Sequence, residues 1–278
     1  MDRIFLLRAY GDFVIALQAI VKSSSKIHIV ASDHLMPLYN ALLATGALPN
    51  LSIEFIALGI QHGQLGFFTN KQLFSFSSYK QLQLLKNYIQ SNPNKDGVDY
   101  VEQDRRIGFF NFLLGQTFKP VVQHNTNVYQ GYATWLSMPT INVVSSKIND
   151  GNGLNVLIIP DARLPKRMLQ PALISQIKKY IIEHAATWKV ARMKQALEPT
   201  DLVYNNFDQL VQYIVKADFV VCSDSLSAHL AYFFNKPHYI FYPKNGMTQF
   251  FTPYALLHHS VGYFGQPSFS FLNQPSAA

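Results

Sequence analysis

Three short segments carry residues whose types and spacing suit chemistry on an anionic, hydroxyl-bearing ligand. The first is Arg8-Ala9-Tyr10-Gly11-Asp12, lying between the apolar run Ile4 to Leu7 and Phe13 to Val21, which is apolar at helical spacing. Gly11 suits a tight turn, and Asp12 falls at the start of a helix, where the helix dipole favours the carboxylate form. A carboxylate there can take a proton from a hydroxyl, or orient that hydroxyl. A plain helix cap is the other reading of the same residue.

The second segment is Ile159-Pro160-Asp161-Ala162-Arg163-Leu164-Pro165-Lys166-Arg167. Fixed cations at Lys166 and Arg167 suit a diphosphate whose negative charge builds as it departs, although a solvated turn with a charge pair has the same composition. The third runs from Ala217 through Ser223-Asp224-Ser225-Leu226-Ser227 to His229 and Ala231. A β-prone strand leads into an acidic and hydroxyl-rich turn, then a helix. Helix-start N–H groups bind phosphate readily, the Ser225 hydroxyl adds a hydrogen bond, and His229 shares the Ser225 face four residues on. A helical His is also often simply packed.

The elements that position these segments alternate strand and helix. In the first half, strands are expected at the opening run, Lys26 to Ala31 and Ser52 to Leu58, with Asp33 capping a helix that runs to about Ala44. Residues 59–145, rich in Gln, Phe and Tyr, show no regular pattern. In the second half, strands are expected at Asn155 to Ile159, Lys189 to Met193, Asp218 to Cys222 and His238 to Tyr242. Helices are expected over Pro171 to Glu183, with Leu173, Ile174, Ile177 and Ile181 on one side, over Asp208 to Lys216 and over Ser225 to Phe234. Two separate strand–loop–helix starts imply two doubly wound parallel sheets, and ligands of such sheets bind beyond the strand C-termini. The polar stretch Asn149-Asp150-Gly151-Asn152-Gly153 reads as the linker, giving domains 1–150 and 151–278.

Composition narrows the function classes. Apolar residues make up 49% of the 278, enough for a sizeable core, while charged residues reach only 14% and aromatics also 14%. The formal charge of +7 favours an anionic partner, yet the basic residues are spread as pairs such as Arg105-Arg106, Lys166-Arg167 and Lys178-Lys179. No basic stripe marks a nucleic-acid binder. A single cysteine, Cys222, excludes a disulfide framework and a cysteine zinc site. With no signal-peptide pattern and no apolar run of membrane-spanning length, a cytoplasmic location is expected. No P-loop, G-x-S-x-G, G-x-G-x-x-G or Asp-x-Asp occurs. His258-His259 reads as a surface pair.

The three segments, in this order, resemble glycosyltransferase family 9, the ADP-heptose:lipopolysaccharide heptosyltransferases. The resemblance rests on Gly11-Asp12, Lys166-Arg167 and Asp224-Ser225-x-x-x-His229, then Asn235-Lys236-Pro237 before a strand, and Phe251-Thr252-Pro253-Tyr254 near the end. It covers the start and most of the second half, and residues 59–150 add almost nothing to it. Leu226 stands where the family has Gly, and the stretch from Lys179 to Asn206 is short.

That resemblance implies the GT-B architecture, two facing Rossmann-like domains with an interdomain cleft. The first domain would lie on the acceptor side and the second would bind a nucleotide sugar. It further implies an inverting transferase that needs no metal or other cofactor, moving a sugar such as heptose from a nucleotide-diphosphate donor. A glycolipid or surface polysaccharide would be the acceptor, in contact with an anionic membrane face. Asp12 would be the catalytic base, with Arg8 and Gly11 in the acceptor loop. Lys166 and Arg167 would clamp the diphosphate, and Asp224, Ser225, Leu226, Ser227 and His229 would cradle the donor. A degenerate scaffold, or an epimerase or hydrolase on the same fold, would share much of this pattern.

Overall fold

The computed structural model describes the chain except residues 50, 61–64, 69–71, 73, 104–105, 139–152, 244–247, 270–271 and 273–278. The chain divides into two compact units, Met1–Thr140 and Ile141–Ala278. Residues 149–152 of the expected linker, and Arg105 of the expected basic pair, lie outside the described residues.

The first unit is built on a parallel five-stranded sheet, ordered β3-β2-β1-β4-β5. Its strands are β1 (Arg3–Leu6), β2 (His28–Ser32), β3 (Ile53–Ile56), β4 (Asp99–Gln103) and β5 (Phe118–Val122). The opening strand is buried along its whole length, as a strand covered on both faces must be. Phe5, Val30, Val101 and Phe118 point to one face, where helices α3 (Phe76–Ser91) and α4 (Ile107–Leu114) cover them with Leu82, Leu85, Ile89, Phe110 and Leu114. Ile4 and Leu6 alternate to the opposite face. Helices α1 (Tyr10–Lys22) and α5 (Val128–Trp135) pack against each other in the same unit. Helix α2 (Met36–Leu43) follows a 3-10 turn, Asp33–Leu35.

Asp33 therefore does not cap α2, whose N-cap is Leu35. Its carboxylate instead accepts from the Ser32 hydroxyl at 3.1 Å and the Leu58 N–H at 3.3 Å, which ties β2 to the chain leaving β3. A second buried clamp holds β1 beside β4. Arg3 donates from Nε and Nη2 to the two Asp99 oxygens at 2.9 and 2.8 Å, and the two residues sit opposite each other in the parallel register.

The second unit has a parallel six-stranded sheet, ordered β11-β10-β9-β6-β7-β8. Its strands are β6 (Asn155–Ile159), β7 (Thr187–Met193), β8 (Leu202–Tyr204), β9 (Phe219–Ser223), β10 (His238–Tyr242) and β11 (Val261–Tyr263). Helix α6 (Pro171–Glu183) begins with proline, whose missing N–H costs nothing in a first turn. It buries Leu173, Ile174, Ile177 and Ile181 against Val156, Ile158, Phe219 and Val221. Helices α7 (Phe207–Lys216) and α8 (Leu226–Phe233) pack together, and α8 also packs on β9 and β10. The Asn206 side chain caps α7 by accepting the Gln209 N–H at 3.0 Å. Helix α9 (Pro253–Leu257) is capped by Thr252, whose hydroxyl also meets His238 Nε2 at 2.6 Å.

Among the described residues, no helix is long and apolar enough to cross a membrane.

Candidate functional site

In each sheet one strand marks the point where the strand order reverses, and loops leaving the strands there splay apart to form a ligand crevice. In the first unit that point lies between β1 and β4. Leu7, Arg8 and Ala9 leave β1 there, and Glu102 and Gln103 end β4 beside them.

Helix α1 starts at Tyr10, three residues before the apolar pattern that opens at Phe13. Its N-cap is Ala9, which makes no side-chain cap, and Gly11 and Asp12 are its second and third residues. Gly11 is thus helical, and the tight turn expected of it is not made. Asp12 is not a cap either, but a first-turn anion still favoured by the helix dipole. Its Oδ2 lies 3.6 Å from Arg8 Nε, and its Oδ1 accepts from Gln103 Nε2 at 3.3 Å. The Arg8 guanidinium also rests over the Phe68 ring, 5.2 Å from its centre.

Glu102 is buried at the base of this group. Its Oε2 accepts the Leu7 N–H at 3.1 Å and its Oε1 the Arg8 N–H at 3.3 Å. Burial raises its carboxyl well above the usual range and the Asp12 charge adds to the shift, while Arg8 and the two N–H bonds oppose it. Tyr132 of α5 faces the same carboxylates, and its hydroxyl is buried with no hydrogen-bond partner. Burial, then Glu102 and Asp12, push that phenol up.

In the second unit the order reverses between β6 and β9. Loop 160–164 after β6 leads to a 3-10 turn, Pro165–Arg167, and the loop after β9 leads through Asp224 and Ser225 into α8. Arg167 joins the two: its Nη1 lies 3.1 Å from Asp224 Oδ2 and 3.4 Å from the Asp224 carbonyl. Asp224 is almost fully buried, and burial raises its carboxyl although Arg167 pulls the other way. Lys166 is exposed beside this pair.

Ser225 is the N-cap of α8, yet its side chain caps nothing, and its hydroxyl is buried with no hydrogen-bond partner. Leu226 and Ser227 open the helix, so their N–H groups belong to the first turn, which has no intrahelical acceptors. His229 is buried deeper in α8. Burial lowers its ring to about 3, with His238 and Arg167 adding to the shift, so the imidazole is neutral and brings no positive charge to an anion.

Asp161 latches the strand ends of this sheet. Its Oδ2 accepts the Met193 N–H at 2.5 Å and the Tyr204 hydroxyl at 3.3 Å, and its carbonyl accepts from Ser223 Oγ at 3.4 Å. Burial raises its carboxyl despite those bonds. The His258 ring packs 4.4 Å from that of Tyr254 and is half-buried, whereas His259 is exposed, so the pair is not one surface feature.

The sequence pointed to Arg8, Asp12, Arg167, Asp224 and Ser225, and the structure places them at the two switch points. The sequence missed Glu102 and Gln103, which end a strand in the stretch without regular pattern. It missed Tyr132 for the same reason. A Glu-Gln pair closing a short run with Tyr100 and Val101 is the one signal that was there.

Two parallel sheets with these crossovers define the class: an α/β protein of the GT-B fold. Solved structures similar to it include glycosyltransferases. They include E. coli heptosyltransferase WaaC with ADP, at TM-score 0.54 and 11% identity over 90% of this chain and 89% of that one. They also include E. coli ADP-heptose lipopolysaccharide heptosyltransferase II, at TM-score 0.55 and 14% identity over 94% and 89%. The glycosyl transferase family 9 protein of Veillonella parvula DSM 2008 gives TM-score 0.55 and 10% identity over 91% and 83%. No protein-family model and no curated protein sequence matches the chain.

Proposed function

We propose that the chain is an inverting glycosyltransferase that works without a metal, taking a sugar from a nucleotide-diphosphate donor. The observation that carries this reading is the pairing of chemistry with topology. A buried carboxylate group stands at the switch point of the first sheet, and a cationic, hydroxyl-bearing helix start at that of the second.

In this reading Asp12 holds the acceptor hydroxyl and receives its proton as the oxygen attacks the anomeric carbon. Lys166, Arg167, the unpartnered Ser225 hydroxyl and the first N–H groups of α8 take the charge that grows on the departing diphosphate. Arg8, ion-paired with Asp12, fixes the carboxylate's orientation. Gly11 keeps the helix start free of a side chain on the acceptor side. Leu226 and Ser227 contribute backbone, and Asp224 holds Arg167 in place. His229, neutral and buried, supports the helix and does not neutralise the phosphate.

An adenine nucleotide is the first donor to test, because WaaC was solved with ADP. A glycolipid or surface polysaccharide is the acceptor. Phe74 and Phe76 at the start of α3 and Phe112 on α4 are 89%, 82% and 80% exposed, which supports contact with a lipid surface.

One observation favours a second reading. The Arg167 charge already answers Asp224, leaving Lys166 as the cation beside it, so a scaffold with a degenerate donor site follows if Lys166 alone is too weak.

Release of nucleoside diphosphate from a panel of nucleotide sugars, with a glycolipid extract as acceptor, tests the proposal. Asp12→Asn is expected to slow release by roughly 10²–10⁴-fold with an unchanged circular dichroism spectrum. Full activity of that variant contradicts the role given to Asp12.

A further inference from the structure

Glu102 has no role in the proposed reaction, yet it and its neighbour Gln103 hold the groups around Asp12. Leu7 and Arg8 are the residues by which the chain leaves β1, and their N–H groups are held by the two Glu102 oxygens. Gln103, next in sequence, donates to Asp12, and Arg8 closes the ring at 3.6 Å from the same carboxylate. Tyr132 faces the ring from α5, and His34, from the turn after β2, meets the Arg8 carbonyl at 3.1 Å. Arg8 and Asp12 are each 8% exposed and Glu102 is 2% exposed.

This ring holds two buried carboxyl groups and one guanidinium. Two negative charges against one cation, away from water, are costly, and a single bound proton removes the excess. Arg8 Nε and Nη1 are buried and make no hydrogen bond, so neither answers Glu102 by bonding it.

We propose that Asp12 and Glu102 act as a carboxyl pair sharing one proton, with Glu102 the positioning residue that sets how strongly Asp12 draws the acceptor proton. The inference rests on the transferase reading above. In the step itself the acceptor oxygen forms the bond to the anomeric carbon. The bond from that carbon to the diphosphate breaks with its electron pair on the leaving group, and the acceptor proton goes to Asp12. With Glu102 ionised, a second negative charge favours the proton that Asp12 gains. With Glu102 protonated, Asp12 is the weaker base. Turnover therefore rises with pH across the titration of the pair, and does so because of a residue that does not touch the acceptor.

Carbon-13 labelling of the glutamate carboxyl groups tests the pair in the full chain without any substrate. Glu102→Gln, or Glu102→Asp should the first fail to fold, assigns the resonance by removing it. The expected midpoint is roughly two units or more above the ~4.3 of an unperturbed Glu. Asp12→Asn is expected to lower it by about one unit or more, because it removes the neighbouring charge. An ordinary midpoint in the wild type, or one that Asp12→Asn leaves in place, overturns the proposal.

In turnover, Glu102→Gln is expected to lose the rise of kcat with pH while nucleoside diphosphate binding is kept. An unchanged profile also overturns the proposal. The carboxyl titration decides the pair and nucleotide binding decides the transferase reading, so the two fail separately.

Discussion

At the scale of single residues, charge is placed where burial makes it responsive. Asp224 and Arg167 show the effect in the second unit. The carboxylate is nearly dry and depends on one guanidinium that is itself about a quarter exposed, with 26% of its side chain accessible. Arg167→Ala is therefore expected to act twice, weakening diphosphate binding and lowering stability, whereas Lys166→Ala weakens binding alone because Lys166 is exposed. Thermal unfolding of the two variants beside wild type separates these effects. A melting temperature for Lys166→Ala as low as that of Arg167→Ala contradicts the assignment.

At the scale of elements, the sheets are pinned by a few buried polar contacts whose partners lie far apart in sequence. Arg3 and Asp99 join β1 to β4 at the end away from the site, and Glu102 joins the same strands at the site. Asp99→Ala leaves the Arg3 guanidinium buried and uncompensated, which is expected to cost about 3–5 kcal/mol in chemical denaturation. A loss under ~1 kcal/mol contradicts that clamp. Helix α5 seats on β5 through Gly131, where an added Cβ would fall 2.9 Å from Val122 Cγ2 and 3.2 Å from the Val122 Cα. Gly131→Ala is expected to destabilise by about 1–3 kcal/mol despite the better helix propensity of alanine, and a stabilised variant contradicts the close packing.

Much of this scaffold was legible in the sequence where strands read as continuous apolar runs. The boundaries of β6, α6 and β10 agree with the pattern of Asn155 to Ile159, Pro171 to Glu183 and His238 to Tyr242. Legibility failed where polar residues are buried by partners the sequence does not reveal. Asp99, Glu102 and Gln103 give β4 a polar outline, and α3 has polar residues such as Ser78 and Gln81 inside, so neither shows a clean period. The Asp12 region was read correctly as a strand end, but the helix start was misplaced because Ala9, which carries no capping oxygen, precedes it. The first site thus depends on pairings between residues 91 to 95 positions apart.

At the scale of the whole molecule, buried histidines and buried carboxyls answer pH in opposite senses. Burial lowers His229 to about 3 and His238 to about 4, against ~6.5 unfolded. Between those values the unfolded chain binds protons that the folded unit refuses, so stability falls as pH drops below ~6.5. The loss is on the order of 2 kcal/mol for each ring at pH 5. The raised carboxyls of Glu102 in the first unit and of Asp161 and Asp224 in the second work the other way, since the protonated form suits the fold and that contribution is lost as pH rises through each titration. The acid loss from the two histidines therefore belongs to the second unit, whereas raised carboxyls lie in both. The two tryptophans report the units apart, Trp135 in the first and Trp188 in the second. In single-tryptophan variants, Trp188 fluorescence is expected to show acid unfolding at a higher pH than Trp135, and the reverse order contradicts the assignment.

In the proposed reading the second unit binds a nucleotide diphosphate for sugar transfer at the end of β9. Calorimetric titration with ADP, UDP, GDP, CDP and dTDP in the presence of a chelator tests it most directly. One of the five is expected to bind, with affinity lost in Lys166→Ala and kept in Asp12→Asn. Absence of binding to all five, or binding that Lys166→Ala leaves unchanged, contradicts the claim and points to the degenerate scaffold.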